Sequence, residues 1–254
     1  MSRYFIELAY KGTSFCGWQL QPNGPTIQGE LERVLELLLR EPIRLTGAGR
    51  TDAGVHALHY IAHFDTTREN LHKDSFLIRK INGMVSREIA VYRIIAVPLD
   101  AHARFDAVSR TYYYRIATKK NPFTLELTYH FYRQFNLDKM NEAAAILLEY
   151  KDFTSFSKLH GNAKTNLCDI SNAYWIDDNN GELRFIITAN RFLRNMVRAI
   201  VGTMIDIGLE KNTPDDIRRI ILAKNRGMAG TSVPPQGLYL AKIEYPEYID
   251  FHKS

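Results

Sequence analysis

SRTYYYRIAT, residues 109–118, opens as SRYFIELAY, residues 2–10, opens. Both begin Ser-Arg, and both run on in aromatic and branched residues whose alternation suits a strand. The echo is faint and does not prove a duplication. It does divide the chain into two stretches of comparable plan.

In the first stretch, the strand at residues 4–10 leads into a polar loop with Gly12, Gly17, Pro22, Gly24 and Pro25. Thr26 is placed to cap a helix whose apolar positions Ile27, Leu31, Val34, Leu35 and Leu38 share a face, and Pro42 is the expected stop. HYIAHFD (59–65), a short helix carrying Leu77, Ile81 and Met84, and VYRIIAV (91–97) complete it. In the second stretch a helix is predicted over 138–149. DDNNG (177–181) is a hairpin turn between strands AYWI and LRFIIT. Asn190 is the expected cap of a long apolar helix, RFLRNMVRAIVGTMIDI, stopping near Gly208. Thr213-Pro214-Asp215-Asp216 reads as a helix start, with a cap, a proline at the first position and acids at the positive end of the dipole. LYLAKIEY is a closing strand. Helices and strands are mixed, with hairpins as well as crossovers. The fold class is therefore α/β in the broad sense (α+β type), with mainly antiparallel sheets and helices on one face. The expected division is residues 1–105 and 106–254.

Bulk composition sets the class. The 254 residues are 45% apolar and 24% charged, enough for a sizeable core. A net charge of +5 leans mildly toward polyanions. Cys16 and Cys168 make neither a disulfide framework nor a metal spacing, which fits a reducing compartment. MSRYFIELAY has no signal-peptide core, and no apolar run reaches the roughly 18 residues of a membrane span. The expectation is a cytoplasmic protein that does not engage a membrane.

Chemistry concentrates in GAGRTDAGVHA (47–57). Three glycines fence Arg50 and Asp52, and glycine belongs where φ is positive or something approaches the backbone closely. In an extended stretch residues i and i+2 point to one side, so Arg50 can keep a partly desolvated Asp52 carboxylate charged and aimed. A nucleophile or general base needs that. From spacing alone a surface turn is the commoner origin of such a motif. Arg191, Arg194 and Arg198 would share one face of the long helix; a solvated face is the ordinary reading. Arg198 nevertheless lies among apolar residues, where an arginine seldom sits without an anion, and Asp52 is a candidate partner. Tyr112 and Tyr114 share a strand face, and one of them can stack on a base. The histidines His56, His59, His63 and His72 do not complete a metal set. Walker, Rossmann and Gly-x-Ser-x-Gly patterns are missing, so no cofactor is inferred.

Seven stretches in order carry a resemblance: GWQLQ (17–21), AGRTDAGVHA (48–57), HARFDA (102–107), SRTYYYRI (109–116), DFTSF (152–156), NMVRAIVG (195–202) and QGLYL (236–240). Together they resemble the bacterial tRNA pseudouridine synthase A family across nearly the whole chain. The resemblance implies an isomerase that converts uridines 38, 39 and 40 of the tRNA anticodon arm to pseudouridine without a cofactor or metal. It implies two similar halves with the catalytic cleft between them, and a homodimer whose tRNA crosses both subunits. It makes Asp52 the essential aspartate, which attacks C1′, adds to the uracil ring or removes a sugar proton. It makes Arg50 a helper in base extrusion, Tyr112 the residue that stacks on the target base, Arg198 the basic partner of the carboxylate, and Leu238 an apolar wall of the pocket. Arg191, Arg194, Lys119 and Lys120 would contact phosphates. KTNLCDI (164–170) departs from the pattern, with Cys168 near an expected basic residue. Two other functions stand beside this one: a catalytically silent RNA-binding module of the same fold, and a glycosidase that releases the base, which would want a second carboxylate.

Overall fold

β1 (Ser2–Tyr10) organises the first half of the chain. It pairs antiparallel with β3 (His56–Thr66) on one edge and with β4 (Ile89–Val97) on the other. A strand flanked on both edges is covered more fully than its alternation predicts, and Tyr4, Phe5, Ile6, Glu7 and Leu8 are all buried. Glu7 is tolerated there because Arg93 donates to it at 2.6 Å. β2 (Thr46–Gly47) adds to β3 just ahead of the Asp52 loop.

The computed structural model describes residues 1–158 and 165–249; Lys164 of the KTNLCDI stretch lies outside them. The chain forms two compact units, Met1–Val108 with the stretch from Leu240, and Ser109–Tyr239. In the first, α1 (Ile27–Leu39) starts where Thr26 accepts the Gly29 amide. It ends at Arg40, whose left-handed backbone (φ 60) turns its amide back onto Glu36. The helix has therefore stopped before Pro42 is reached, and the proline is not what ends it. α2 (Ser75–Met84), capped by Asp74, packs against α1 and β4.

In the second unit β5 (Ser109–Ala117), β7 (Ile170–Asp177) and β8 (Glu182–Ala189) form an antiparallel sheet in the order β5-β8-β7. The short β6 (Tyr129–His130) runs parallel to the end of β5. The β7–β8 hairpin turns through Asn179 (φ 57) and Gly181 (φ 87), as DDNNG predicts. α3 (Leu137–Ile146) packs on β7 and on α4 (Met196–Gly208). Phe153, Phe156, Trp175 and Phe185 lie in the core. The fold is thus mixed α/β with mainly antiparallel strands.

Three local expectations change. Asn190 does not cap α4: its side chain and backbone bond Asp169, at 3.0 Å from the Asp169 amide to its Oδ1. The helix begins only after Asn195, held left-handed at φ 67 with its side chain on Ser232. Arg191 and Arg194 therefore precede the helix and do not share a helical face with Arg198. α5 (Asp216–Ala223) starts beyond Thr213, because Asp216 accepts the Thr213 amide and hydroxyl and closes a turn first. Finally, β9 (Leu238–Glu244) leaves the second unit at Tyr239, and residues 240–249 cluster with the first. The Ile243 amide donates to His59, Tyr245 donates to Ala103, and Ile249 joins Phe5, Ile61 and Ile95 in a buried cluster.

Candidate active site

In the first unit, the loop bearing Asp52 is clamped from several sides. The Tyr10 hydroxyl shares a 2.8 Å hydrogen bond with Thr51 Oγ1. The Thr51 carbonyl accepts the Trp18 amide at 3.2 Å, and Val55 N donates to Asp52 O at 3.2 Å. Gly12 N donates to His56 Nδ1 at 3.0 Å. Trp18 stacks on Tyr60 with ring centroids 4.1 Å apart, and the Tyr60 hydroxyl donates to the Gly49 carbonyl. This is the physical link between GWQLQ and AGRTDAG: one loop is seated on the other. It also accounts for two glycines. A Cβ at Gly12 would lie 2.0 Å from Val55 O, and one at Gly17 (φ +90) would lie 2.4 Å from Thr51 O. The carbonyls of Gly17 and Trp18 in turn accept the first amides of α1, so helix and loop share a base.

Asp52 is thereby half-buried on a loop with little freedom to move. Arg50 is exposed, and its Nε donates to Gln19 Oε1 at 2.9 Å. Nothing in the residue pattern alone assigns a role to Gln19, Tyr10, Thr51 or Tyr60. GWQLQ was the available signal for Gln19; the tyrosines read only as strand residues.

In the second unit three of the expected residues gather around Tyr114. Tyr112 stands half-buried on β5, edge-on to Phe192 at 5.0 Å. Tyr114, on the same face, is fully buried and donates to Pro234 O at 2.8 Å. Burial raises its phenol far above the ordinary value, and Tyr129 adds to that, while Arg198 pulls it down. Arg198 is fixed at both ends of its residue: its Nε donates to Val233 O at 2.7 Å and its carbonyl accepts Val233 N at 3.2 Å. Gly237 sits against the Tyr114 ring, where a Cβ would come within 2.7 Å of Cζ, and it delivers the buried Leu238. Gly202 of α4 leaves room for the same segment, since a Cβ there would lie 1.8 Å from Thr231 O. The two units thus offer a constrained carboxylate in one and a tyrosine, an arginine and a leucine around one buried phenol in the other.

Residues 8–106 and 143–246 match the family model for tRNA pseudouridine synthase. The chain belongs to that family. Among curated relatives, the tRNA pseudouridine synthase A of Parabacteroides distasonis is 52% identical over 248 residues, 97% of each chain. That of Bacteroides fragilis is 50% identical over 98% of each. That of Caldicellulosiruptor bescii is 39% identical over 96% of this chain and all of its own.

The remaining expected positions of this family member separate. Arg191 and Arg194 lie on the connection between β8 and α4, beside Phe192 and hence near the Tyr112 end of β5. Lys119 and Lys120 are exposed past the other end of that strand, roughly 20 Å from Tyr112 at about 3.3 Å per residue. Cys168 is buried, and burial pushes its thiol up to about 11. A basic side chain at that position would have no route to solvent without repacking. The strand histidines serve the backbone: His56, His59 and His63 each accept an amide through Nδ1, from Gly12, Ile243 and Ala103. Among the described residues no group of three or more His, Cys, Asp or Glu is placed to hold a metal ion, and no helix is long and apolar enough to cross a membrane.

Proposed function

We propose that this chain is an isomerase that converts uridine to pseudouridine in tRNA, at positions 38, 39 and 40 of the anticodon arm, and that Asp52 is its catalytic carboxylate. The observation that carries the reading is the clamped Asp52 loop in a member of the tRNA pseudouridine synthase family. The reaction breaks the bond from C1′ to N1 and makes one from C1′ to C5. N1 gains a proton and C5 loses one, so no atom or electron is taken from outside. A single ionised side chain held in place suits such a sequence, because positioning removes the cost of bringing the groups together. Tyr112 stacks on the target base and assists loss of the C5 proton. Leu238 packs against the base, Arg50 helps draw it out of the stack, and Arg198 provides positive charge for the carboxylate. Extrusion costs a few kcal/mol, which the contacts to the flipped base offset.

Arg191, Arg194, Lys119 and Lys120 contact phosphates in this reading. Each such contact steepens the fall of affinity with salt and leaves the choice of site unchanged. The working form is a cytoplasmic homodimer.

Tritium release from 5-tritiated uridine in tRNA tests the proposal. The unaltered chain releases tritium and forms pseudouridine with no change in RNA mass. Asp52→Asn lowers the rate by about 10³-fold or more. Binding without product marks a silent module, free uracil marks a glycosidase, and normal turnover by Asp52→Asn removes Asp52 from its role.

A further inference from the structure

HARFDA (102–107) is a motif that the reaction leaves unused. Its backbone is pinned at almost every residue. Ala101 and Ala103 are buried with Phe5, Ile61, Ile95 and Ile249. Arg3 donates to Ala101 O at 3.0 Å, Ala103 N donates to His63 Nδ1 at 3.1 Å, and Tyr245 donates to Ala103 O at 2.5 Å. His102 N donates to Asp106 Oδ2 at 2.7 Å, and Asp106 N returns to His102 O at 3.1 Å. The amides of Arg104 and Phe105 both converge on His102 Nδ1, at 3.1 and 3.3 Å.

This frame holds up an aromatic ring that is itself uncovered. Phe105 is 74% exposed. The His102 ring lies 4.2 Å from it, and the Arg104 guanidinium 5.7 Å from its centroid. A lone exposed apolar side chain needs no explanation. Here the ring stands on a loop that cannot retract it, beside a histidine ring and a planar cation. Phenyl, imidazole and guanidinium planes are the groups on which unpaired bases stack. A ring already fixed in place loses little freedom on binding.

We propose that Phe105 and Arg104 form a stacking platform for an unpaired base of the RNA, separate from the contacts made to the target uridine. The inference rests on the reading above that the substrate is tRNA. A base fits better than an apolar protein surface, because Arg104, His102 and Asp106 make the surroundings of the ring polar. The chain's net charge of +5 also favours a polyanion.

Binding of an unmodified tRNA transcript to the full chain, measured apart from turnover, tests the platform. Phe105→Ala and Phe105→Leu are both expected to weaken binding about 5- to 150-fold, since a base stacked on an aromatic ring contributes about 1–3 kcal/mol. Phe105→Trp restores affinity, and its emission is quenched when tRNA is added; the native Trp18 and Trp175 are buried and supply a constant background. Wild-type affinity in Phe105→Ala, or an unquenched indole in Phe105→Trp, overturns the proposal. So does wild-type affinity in Phe105→Leu together with a changed sedimentation coefficient in Phe105→Ala, which would make the ring a protein contact. Tritium release by the unaltered chain is assayed in parallel. Its absence, with the binding differences intact, removes the isomerase reading and leaves the platform standing.

Discussion

Arg3 and Arg110 hold the second positions of β1 and β5, and the two strands part company from there. Arg3 faces Asp65 across the strand pair and binds both its oxygens at 2.7 Å. Arg110 faces Ala189 and donates instead to the Asn190 carbonyl at 2.8 Å. In β1 burial begins at Tyr4 and holds through Leu8; in β5 the residues up to Tyr113 are only half-buried and full burial waits for Tyr114. One Ser-Arg opening thus leads into a structural spine in the first unit and into a half-buried stretch in the second. Tyr112 lies in that half-buried stretch. Departures from a filled core gather at functional sites.

The contrast breaks most visibly on paired substitutions in the two strands. Phe5→Ala empties a fully buried position and is expected to cost about 3–5 kcal/mol. Tyr112→Ala removes a half-buried ring that meets Phe192 edge-on and is expected to cost less, about 1–2 kcal/mol, while turnover falls steeply. Urea unfolding of both variants measures the difference. Similar losses from the two would mean that β5 is packed as β1 is.

A second pair lies within the Asp52 region. Gly17→Ala must hold a left-handed backbone and place a Cβ 2.4 Å from Thr51 O, so about 2–4 kcal/mol is expected, with a larger fractional loss of turnover because the displaced residue adjoins Asp52. Gly49→Ala meets nothing within 4 Å and is expected to leave stability within about 0.5 kcal/mol. If both glycines tolerate alanine equally, the loop is not held from the side that the Gly17 contact indicates.

Much of this was legible in the residues. Thr26 caps α1, DDNNG turns the hairpin, and the 3.6-residue period places Leu77 and Ile81 inward, because each signal is local and needs no knowledge of the rest. Asn190 departs from its expected place because a cap competes with any other partner for the same side chain, and Asp169 arrives only once β7 and β8 are paired. Arg40 ends α1 ahead of Pro42 for a related reason: a left-handed arginine has no sequence signature as strong as a proline. The site divides in the same way. Asp52 stands out through its glycines, whereas the convergence of Arg198, Pro234 and Gly237 on Tyr114 joins residues 84 to 123 positions apart. Histidine spacing cannot reveal three imidazoles used as amide acceptors on a single strand.

Those imidazoles set the next effect, and it belongs to the β1 side alone. His63 is 6% exposed and accepts the Ala103 amide. Burial, with Arg3 and His102 nearby, lowers it to about 4, against the smaller opposing pull of Asp65 and Asp106. Above pH 6.5 the imidazole is neutral in both folded and unfolded chains. Between 6.5 and about 4 only the unfolded chain takes up the proton, so stability falls as pH falls through that window, by about 2–3 kcal/mol from this residue. His59, lowered mainly by burial, adds in the same direction. Urea midpoints from pH 7.5 to 4.5 should drop more steeply for the unaltered chain than for His63→Gln. Parallel curves would assign the acid sensitivity elsewhere.

The smallest effect separates Tyr114 from its neighbour two residues away. Tyr114→Phe keeps the ring that fills the core and removes only the hydroxyl donated to Pro234 O. About 1–2 kcal/mol is expected, because the carbonyl is left without that donor in a buried setting. Tyr112→Phe changes stability by less, since Tyr112 is half-buried. Activity should reverse the order if Tyr112 is the residue that meets the base: Tyr112→Phe then lowers turnover directly, whereas Tyr114→Phe acts only by loosening residues 233–238, and with them the carbonyl that orients Arg198. A loss of turnover in Tyr114→Phe that a stabilising osmolyte restores, beside one in Tyr112→Phe that it does not, would assign Tyr112 to chemistry and Tyr114 to the frame around it.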